Sequence, residues 1–93
     1  MEIQREEHGR KGAFFIEENG EWLAELSYIR NGPNTMVIDH TEVVEDLAGQ
    51  DVGRKLVDAA VAFARENGLK IRPLCPFVKK VIDSDTALQD VLA

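Results

Sequence analysis

Residues Ile38 to Cys75 read IDHTEVVEDLAGQDVGRKLVDAAVAFARENGLKIRPLC. The stretch opens as a β-like run and passes through a short acidic loop containing Gly49 and Gly53. From Val52 the apolar residues fall at Val52, Leu56, Ala60 and Phe63, with Val57, Val61 and Ala64 alongside. Spacings of three and four, kept up over about four turns, make one apolar stripe of an amphipathic helix. Asn67-Gly68 ends that helix, with Gly68 suited to a left-handed cap. A second β-like run, Leu69 to Arg72, follows and leads to the single cysteine, Cys75, between Pro73 and Pro76. Strand, helix and return strand form a crossover, so the two strands are expected parallel or splayed. A glycine-containing loop at a helix start, with a thiol at the far end, is the layout of a site that grips a phosphorylated cofactor.

The residues before this stretch change period. Met1 to Glu7 alternates weakly around Ile3 and reads as an edge strand, and His8 to Gly12 reads as a turn. Ala13 to Glu18 is a strand, and Asn19-Gly20 is a two-residue hairpin signal. Glu21 to Arg30 is the next strand, its alternation placing Trp22, Ala24, Leu26 and Tyr28 on one face. Asn31 to Asn34 is a second turn, and Thr35 to Val44 a further strand. The first half therefore predicts an antiparallel meander of three or four strands. Beyond Cys75, Pro76 suits the first turn of a new helix, with Phe77, Val78, Val81 and Ile82 at helical spacing. Asp83-Ser84-Asp85 ends it, and Thr86 to Leu92 forms a last turn or two. The aromatic residues, Phe77 included, are read as core.

The 93 residues predict a single domain, 1–93, with one modest core. A net charge of -6 argues against nucleic acid and anionic membrane, and favours a cationic partner or simple solubility. One cysteine excludes an internal disulfide framework and a Cys-based zinc site. The polar first residues show no signal peptide, and no apolar run approaches the roughly 20 residues of a membrane span. The expected location is cytoplasmic, where a lone thiol stays reduced.

Four positions carry the chemistry. The amides from Gly49 to Lys55 sit at a helix start, where they can hold phosphate without side-chain help; the alternative is a turn feeding a core helix. Cys75, just before a helix N-terminus, is expected to have a lowered pKa. It can act as a nucleophile, as a general acid for a leaving thiolate, or as a small buried hydrophobe. His40 and Glu42, two apart on a strand, share a face, with Asp39 and Thr41 turned the other way, unless a bulge here alters the alternation. Either is a candidate general base, while His40 can equally be a hydrogen-bonded tie between strands. Two histidines without HxxxH-type spacing argue against a metal site.

Four motifs in order carry a resemblance. They are His40-Thr41-Glu42-Val43, Gly49-Gln50-Asp51-Val52-Gly53, Ala64-Arg65-Glu66-Asn67-Gly68-Leu69-Lys70 and Pro73-Leu74-Cys75-Pro76-Phe77, with Gln89-Asp90-Val91 also fitting. They resemble the GNAT superfamily of acyl-CoA-dependent N-acetyltransferases, and more closely a subfamily of very short GNAT-like proteins. The resemblance covers about two-thirds of the chain. It implies an α+β fold, with a mixed, mostly antiparallel sheet, one long central helix and a short C-terminal helix. It implies acetyl-CoA in a cleft between splayed parallel strands. The strand backbone, here Glu42, Val43 and Val44, would bond the pantetheine. The loop, here Gly49, Gln50, Asp51, Val52, Gly53, Arg54 and Lys55, would hold the pyrophosphate. The acetyl end would lie near Cys75.

The implied function is acetyl transfer to a primary amine, with a protein lysine or N-terminus as one acceptor class, by a monomer or weak homodimer. The alternative is a non-catalytic CoA-binding or interaction domain. Two departures bear on this choice. The superfamily loop pattern places glycine where Asp51 stands. CoA binding is expected, with the carboxylate weakening it unless it turns outward and caps the helix. The superfamily also places helices between its first two strands, where this chain has room only for a turn, so the acceptor side should be open.

Overall fold

The computed structural model describes residues 2–93. Four antiparallel strands run β1 (Gln4–His8), β2 (Lys11–Glu18), β3 (Glu21–Arg30) and β4 (Thr35–Val43). Helix α1 (Val52–Asn67) then crosses over to β5 (Lys70–Pro73), which pairs parallel with β4. Helix α2 (Pro76–Asp83) and a 3-10 segment, Thr86–Val91, complete the order β1-β2-β3-β4-β5 of one mixed sheet. The predicted α+β architecture is thus observed. The first turn is tighter than its glycines suggested, since His8 and Lys11 both belong to strands. The expected start of the first strand at Met1 lies outside the described residues.

Local chemistry accounts for the boundaries. Asn19 (φ 54°) and Gly20 (φ 80°) both adopt the left-handed conformation that a tight hairpin requires. Gly68 (φ 66°) caps α1 and donates its amide to Ala64 O. Pro76 opens α2 at a position where no donor is needed. Asp85 accepts the Ala87 amide at 3.0 Å and starts the last turn. No helix among the described residues is long and apolar enough to cross a membrane.

One apolar core forms on one face of the sheet. Phe14, Ile16, Ala24, Leu26, Tyr28, Met36 and Ile38 meet Val52, Leu56, Val57, Ala60, Val61 and Ala64 of α1, and Val78 and Ile82 of α2. Phe63, the expected end of the helix stripe, is only partly buried, packed against the core edge. There the Arg5 and Arg30 guanidinium groups lie 4.4 and 5.3 Å from its ring centre. Glu7 joins that edge, accepting from Tyr28 Oη at 2.7 Å and Arg30 Nε at 3.0 Å. Donation by the Tyr28 hydroxyl, supported by Arg30 and Arg5 against the cost of burial, holds the Glu7 carboxyl below its ordinary pKa.

Two β-bulges reassign side chains that strict alternation placed elsewhere. Leu23 is an extra residue on β3 opposite Ile16 and Glu17. It turns Trp22 away from Ala24, so that Trp22 stacks on Phe15 on the other face, with ring centres 4.0 Å apart and planes 7° from parallel. Asp39 is an extra residue on β4. It points to the same face as His40 and accepts from Ser27 Oγ at 2.9 Å. The expectation that Asp39 faces away from His40 is therefore corrected by the bulge.

Candidate functional site

The cleft begins where the β4–β5 ladder stops. Pairing runs only from Thr35–Lys70 to Ile38–Pro73. Proline has no amide hydrogen to extend a ladder, and the next two amides, Leu74 and Cys75, both donate to Ile38 O at 2.9 and 3.2 Å. The chain then turns into α2. Beyond Ile38, β4 keeps its bonds to β3 but has no paired strand on the β5 side among the described residues. Val44 N–H donates to Leu23 O. By alternation Thr41 and Val43 direct their backbone groups into the open side.

The other wall is the entry to α1. Val44 leads into a short 3-10 turn, Glu45–Leu47, and Gly49 takes a φ of 85°. The first bond into the helix is Lys55 N–H to Asp51 O at 3.0 Å. Val52, Gly53 and Arg54 precede it, so among the described residues their amides have no backbone acceptor, and the helix dipole adds positive potential there. Asp51 occupies the N-cap position with φ 61° and ψ 23° and makes no side-chain cap bond. The capping role weighed for it is therefore absent. Its backbone sits in the left-handed region where glycine is favoured.

Between these walls lies a cavity of about 660 Å³, lined by Thr41, Glu42, Val43, Leu47, Ala48, Gly49, Asp51, Val52, Gly53, Arg54, Phe77 and Val81. Thr41 and Glu42, consecutive on β4 with side chains on opposite faces, both border the cavity at the sheet edge. Of the residues expected to hold a cofactor, Val43, Gly49, Asp51, Val52, Gly53 and Arg54 line it, whereas Val44, Gln50 and Lys55 do not. The Arg54 guanidinium is engaged elsewhere, with Asp58 at 3.0 Å and Asp85 at 2.6 Å, so Arg54 offers the cavity its amide more than its charge. Phe77 is 42% exposed and is a cavity wall, not core. Its ring lies so close to Gly53 that a Cβ there would stand 2.8 Å from Phe77 Cζ. The signal in the sequence is a second stripe on α2: Phe77 and Val81 are spaced by four, one step round from buried Val78 and Ile82.

Cys75 is the N-cap residue of α2 and is 8% exposed. It stands one side chain behind the cavity: Thr41 lines it, and Thr41 Oγ1 lies 3.2 Å from Cys75 Sγ. Burial pushes the thiol pKa up. The Thr41 hydroxyl and the amides of Val78, Phe77 and Thr41 outweigh it, and the thiol is held below its ordinary value.

His40 and Glu42 lie on the opposite face, with Nε2 and Oε2 3.4 Å apart, both exposed. Glu25 stands directly across from Glu42 on β3. Glu25, His40 and Glu42 bring one ligand atom each within 4.8 Å of one another. Sequence spacing did not reveal this group, because its members come from two strands. Two carboxylates directly opposite repel one another, so the patch favours a cation. Ala13 and Phe15 are buried on this face yet stand outside the helix-covered core.

Residues 13–91 match the profile of the GCN5-related N-acetyl-transferase family. The chain belongs to that family. It is 35% identical over 80 residues to Protein NATD1 of Danio rerio, covering 84% of this chain and 73% of that one. Among solved structures it is similar to a GCN5-like candidate N-acetyltransferase from Staphylococcus aureus, determined in solution. That match has 40% identity and a TM-score of 0.74, over 99% of this chain and 87% of that one. A ribosomal-protein-alanine N-acetyltransferase from Brucella melitensis shares the fold at 19% identity, with a TM-score of 0.63 over 90% of this chain and 64% of that one. The family uses acyl-CoA donors in general, which agrees with the chemistry of a cavity walled by free amides.

Proposed function

We propose that the protein binds acetyl-CoA in this cavity and transfers the acetyl group to a primary amine. The observation that carries the reading is the shape of the cavity. It joins the free amides of α1 at one end to the unpaired edge of β4 at the other, in one continuous space. The amides of Val52, Gly53 and Arg54 receive the pyrophosphate. The backbone of Val43 bonds the pantetheine arm, while Phe77, Val81 and Leu47 cover its apolar side.

The acceptor approaches from the open face. Glu42 and Glu25 attract the ammonium, and His40 or Glu42 takes its proton. The free amine then forms a bond to the acetyl carbon, an amide of the splayed strand stabilises charge developing on the carbonyl oxygen, the carbon–sulfur bond breaks, and the nitrogen sheds its second proton to solvent. Cys75 supplies the proton that neutralises the leaving thiolate. An acceptor displayed on a peptide or protein fits an open face better than a small amine needing an enclosed pocket. The protein acts in the cytoplasm, as a monomer or weak dimer.

The test is an NMR titration with acetyl-CoA, followed by thiol release in the presence of lysine peptides and mixed amines. Shifts should cluster at Val43, Gly49 and Val52 to Arg54, and His40→Gln should slow release without moving the acetyl-CoA affinity. Binding elsewhere would refute the site, and binding without turnover would favour a CoA-binding module.

A further inference from the structure

We propose that Thr41 is the residue that meets the donor's sulfur, and that it relays the Cys75 proton to the departing thiolate. The inference rests on the acetyl-transfer reading above and adds a residue to it.

Three observations lead to Thr41. It lines the cavity, whereas Cys75 does not and is only 8% exposed. Its hydroxyl stands 3.2 Å from the Cys75 sulfur, so the two are hydrogen-bonded side by side. It also lies on β4 just past the last β5 pair, on the edge where an extended ligand arm would run. A hydroxyl donates and accepts at once, and can therefore take a proton from S–H while giving its own to a second sulfur. The one tyrosine offers no alternative, since its hydroxyl is buried and held by Glu7.

The step balances. As the bond from acetyl carbon to donor sulfur breaks, its electron pair stays on that sulfur, which takes the Thr41 hydroxyl proton. Thr41 Oγ1 takes the Cys75 thiol proton in turn. The Cys75 thiolate is left facing the amides of Phe77, Val78 and Thr41. It returns to the thiol with the proton that the nitrogen sheds on becoming a neutral amide, carried by solvent, while the first ammonium proton passes from His40 or Glu42 to bulk water.

The test uses Thr41→Val, which keeps the shape and removes the hydroxyl, and Thr41→Ser, which restores it. Melting curves check that both variants fold. The first measurement is the pH dependence of Cys75 alkylation by iodoacetamide in the free protein. Thr41→Val should raise the thiol pKa and cut the thiolate fraction near neutral pH about fivefold, the size of one lost hydrogen bond, and Thr41→Ser should restore it. The second is turnover: Thr41→Val should lower kcat about 100-fold, as for loss of a general acid, with the KM for acetyl-CoA within about twofold and recovery in Thr41→Ser. An active wild type matched by an equally active Thr41→Val overturns the relay alone. A wild type that binds acetyl-CoA and releases no thiol overturns the transfer reading, and the relay with it.

Discussion

Asp51 gives the sharpest test, because two separable penalties meet at one residue. Its backbone is left-handed, at φ 61°, and the residue is exposed and lines the cavity beside the amides assigned to the pyrophosphate. Taking about 8 Å between the carboxylate and each phosphate, in water-like surroundings, the repulsion is about 0.5 kcal/mol per charge, or about 1 kcal/mol for two. Removing it should tighten CoA about fourfold at 10 mM salt and about twofold at 150 mM, where screening acts over about 8 Å. The backbone penalty acts on stability instead. Asp51→Asn keeps a residue tolerant of this conformation and loses only the favourable charge–dipole interaction, about 0.5 kcal/mol. Asp51→Ala loses that and adds about 1 kcal/mol of left-handed strain. Asp51→Gly relieves strain but gains freedom in the unfolded chain, and should match Asp51→Asn. Calorimetry at the two salt concentrations and thermal melts measure both effects. All three variants should bind CoA more tightly at low salt, and Asp51→Ala should melt about 4–8 °C below Asp51→Asn. Unchanged affinity in the neutral variants at low salt would refute the placement of the pyrophosphate. An Asp51→Ala protein as stable as Asp51→Asn would refute the strain argument.

Three further outcomes follow from the packing. Gly12→Ala would set a Cβ 2.4 Å from the Tyr28 ring, which is 1% exposed and has nowhere to move. It should cost about 2 kcal/mol, read as a fall in denaturation midpoint with an unchanged slope; a midpoint equal to wild type would sink the idea. Glu7 has its carboxyl pKa lowered on folding by the Tyr28 hydroxyl, so its stabilisation is complete above the ordinary carboxyl range and is lost as pH falls through the lower folded value. Melting temperature should drop as pH falls below about 5, less steeply in Glu7→Gln than in wild type, and parallel curves would contradict this. Phe77→Ala should weaken CoA binding about tenfold, by about 1.4 kcal/mol of lost apolar contact, with little change in melting temperature because Val78 and Ile82 still anchor α2; equal affinity by calorimetry would remove Phe77 from the site.

The elements were legible in the sequence wherever side-chain period and turn chemistry agreed. Asn19-Gly20, the stripe from Val52 to Ala64 and the Gly68 cap each set a boundary through local physics, and β3 and α1 fall where their patterns place them. What escaped has a common physical cause. A β-bulge adds one residue and reverses facing on one side of it, with no mark in composition. Leu23 therefore hid the true face of Trp22, and the bulge at Asp39 hid that residue's place beside His40. The cavity walls escaped for another reason. Phe77 and Val81 are apolar at helical spacing, which a core residue and a ligand wall satisfy equally. Thr41 likewise gains its importance only once Cys75 is brought to 3.2 Å from it across thirty-four positions of chain.

The open face bears on what the acceptor is. The β1–β2 connection is only Gly9 and Arg10, and among the described residues no helix packs where Ala13, Phe15, Glu25, Ser27, His40 and Glu42 lie. A small amine on such a surface would have few contacts to hold it, and the surface would contribute mainly charge. Two facing carboxylates beside a histidine give an attraction that acts at a distance and rewards a cation, while supplying little shape. An acceptor tethered to a larger partner supplies its own positioning through contacts beyond the site. On this reasoning kcat/KM for a lysine within a peptide should exceed that for the free amine. The advantage should shrink with rising salt if the carboxylates steer the encounter, and should survive salt if partner contacts dominate. Equal kcat/KM for peptide and free amine at all salt concentrations would show that the open face takes no part in choosing the acceptor.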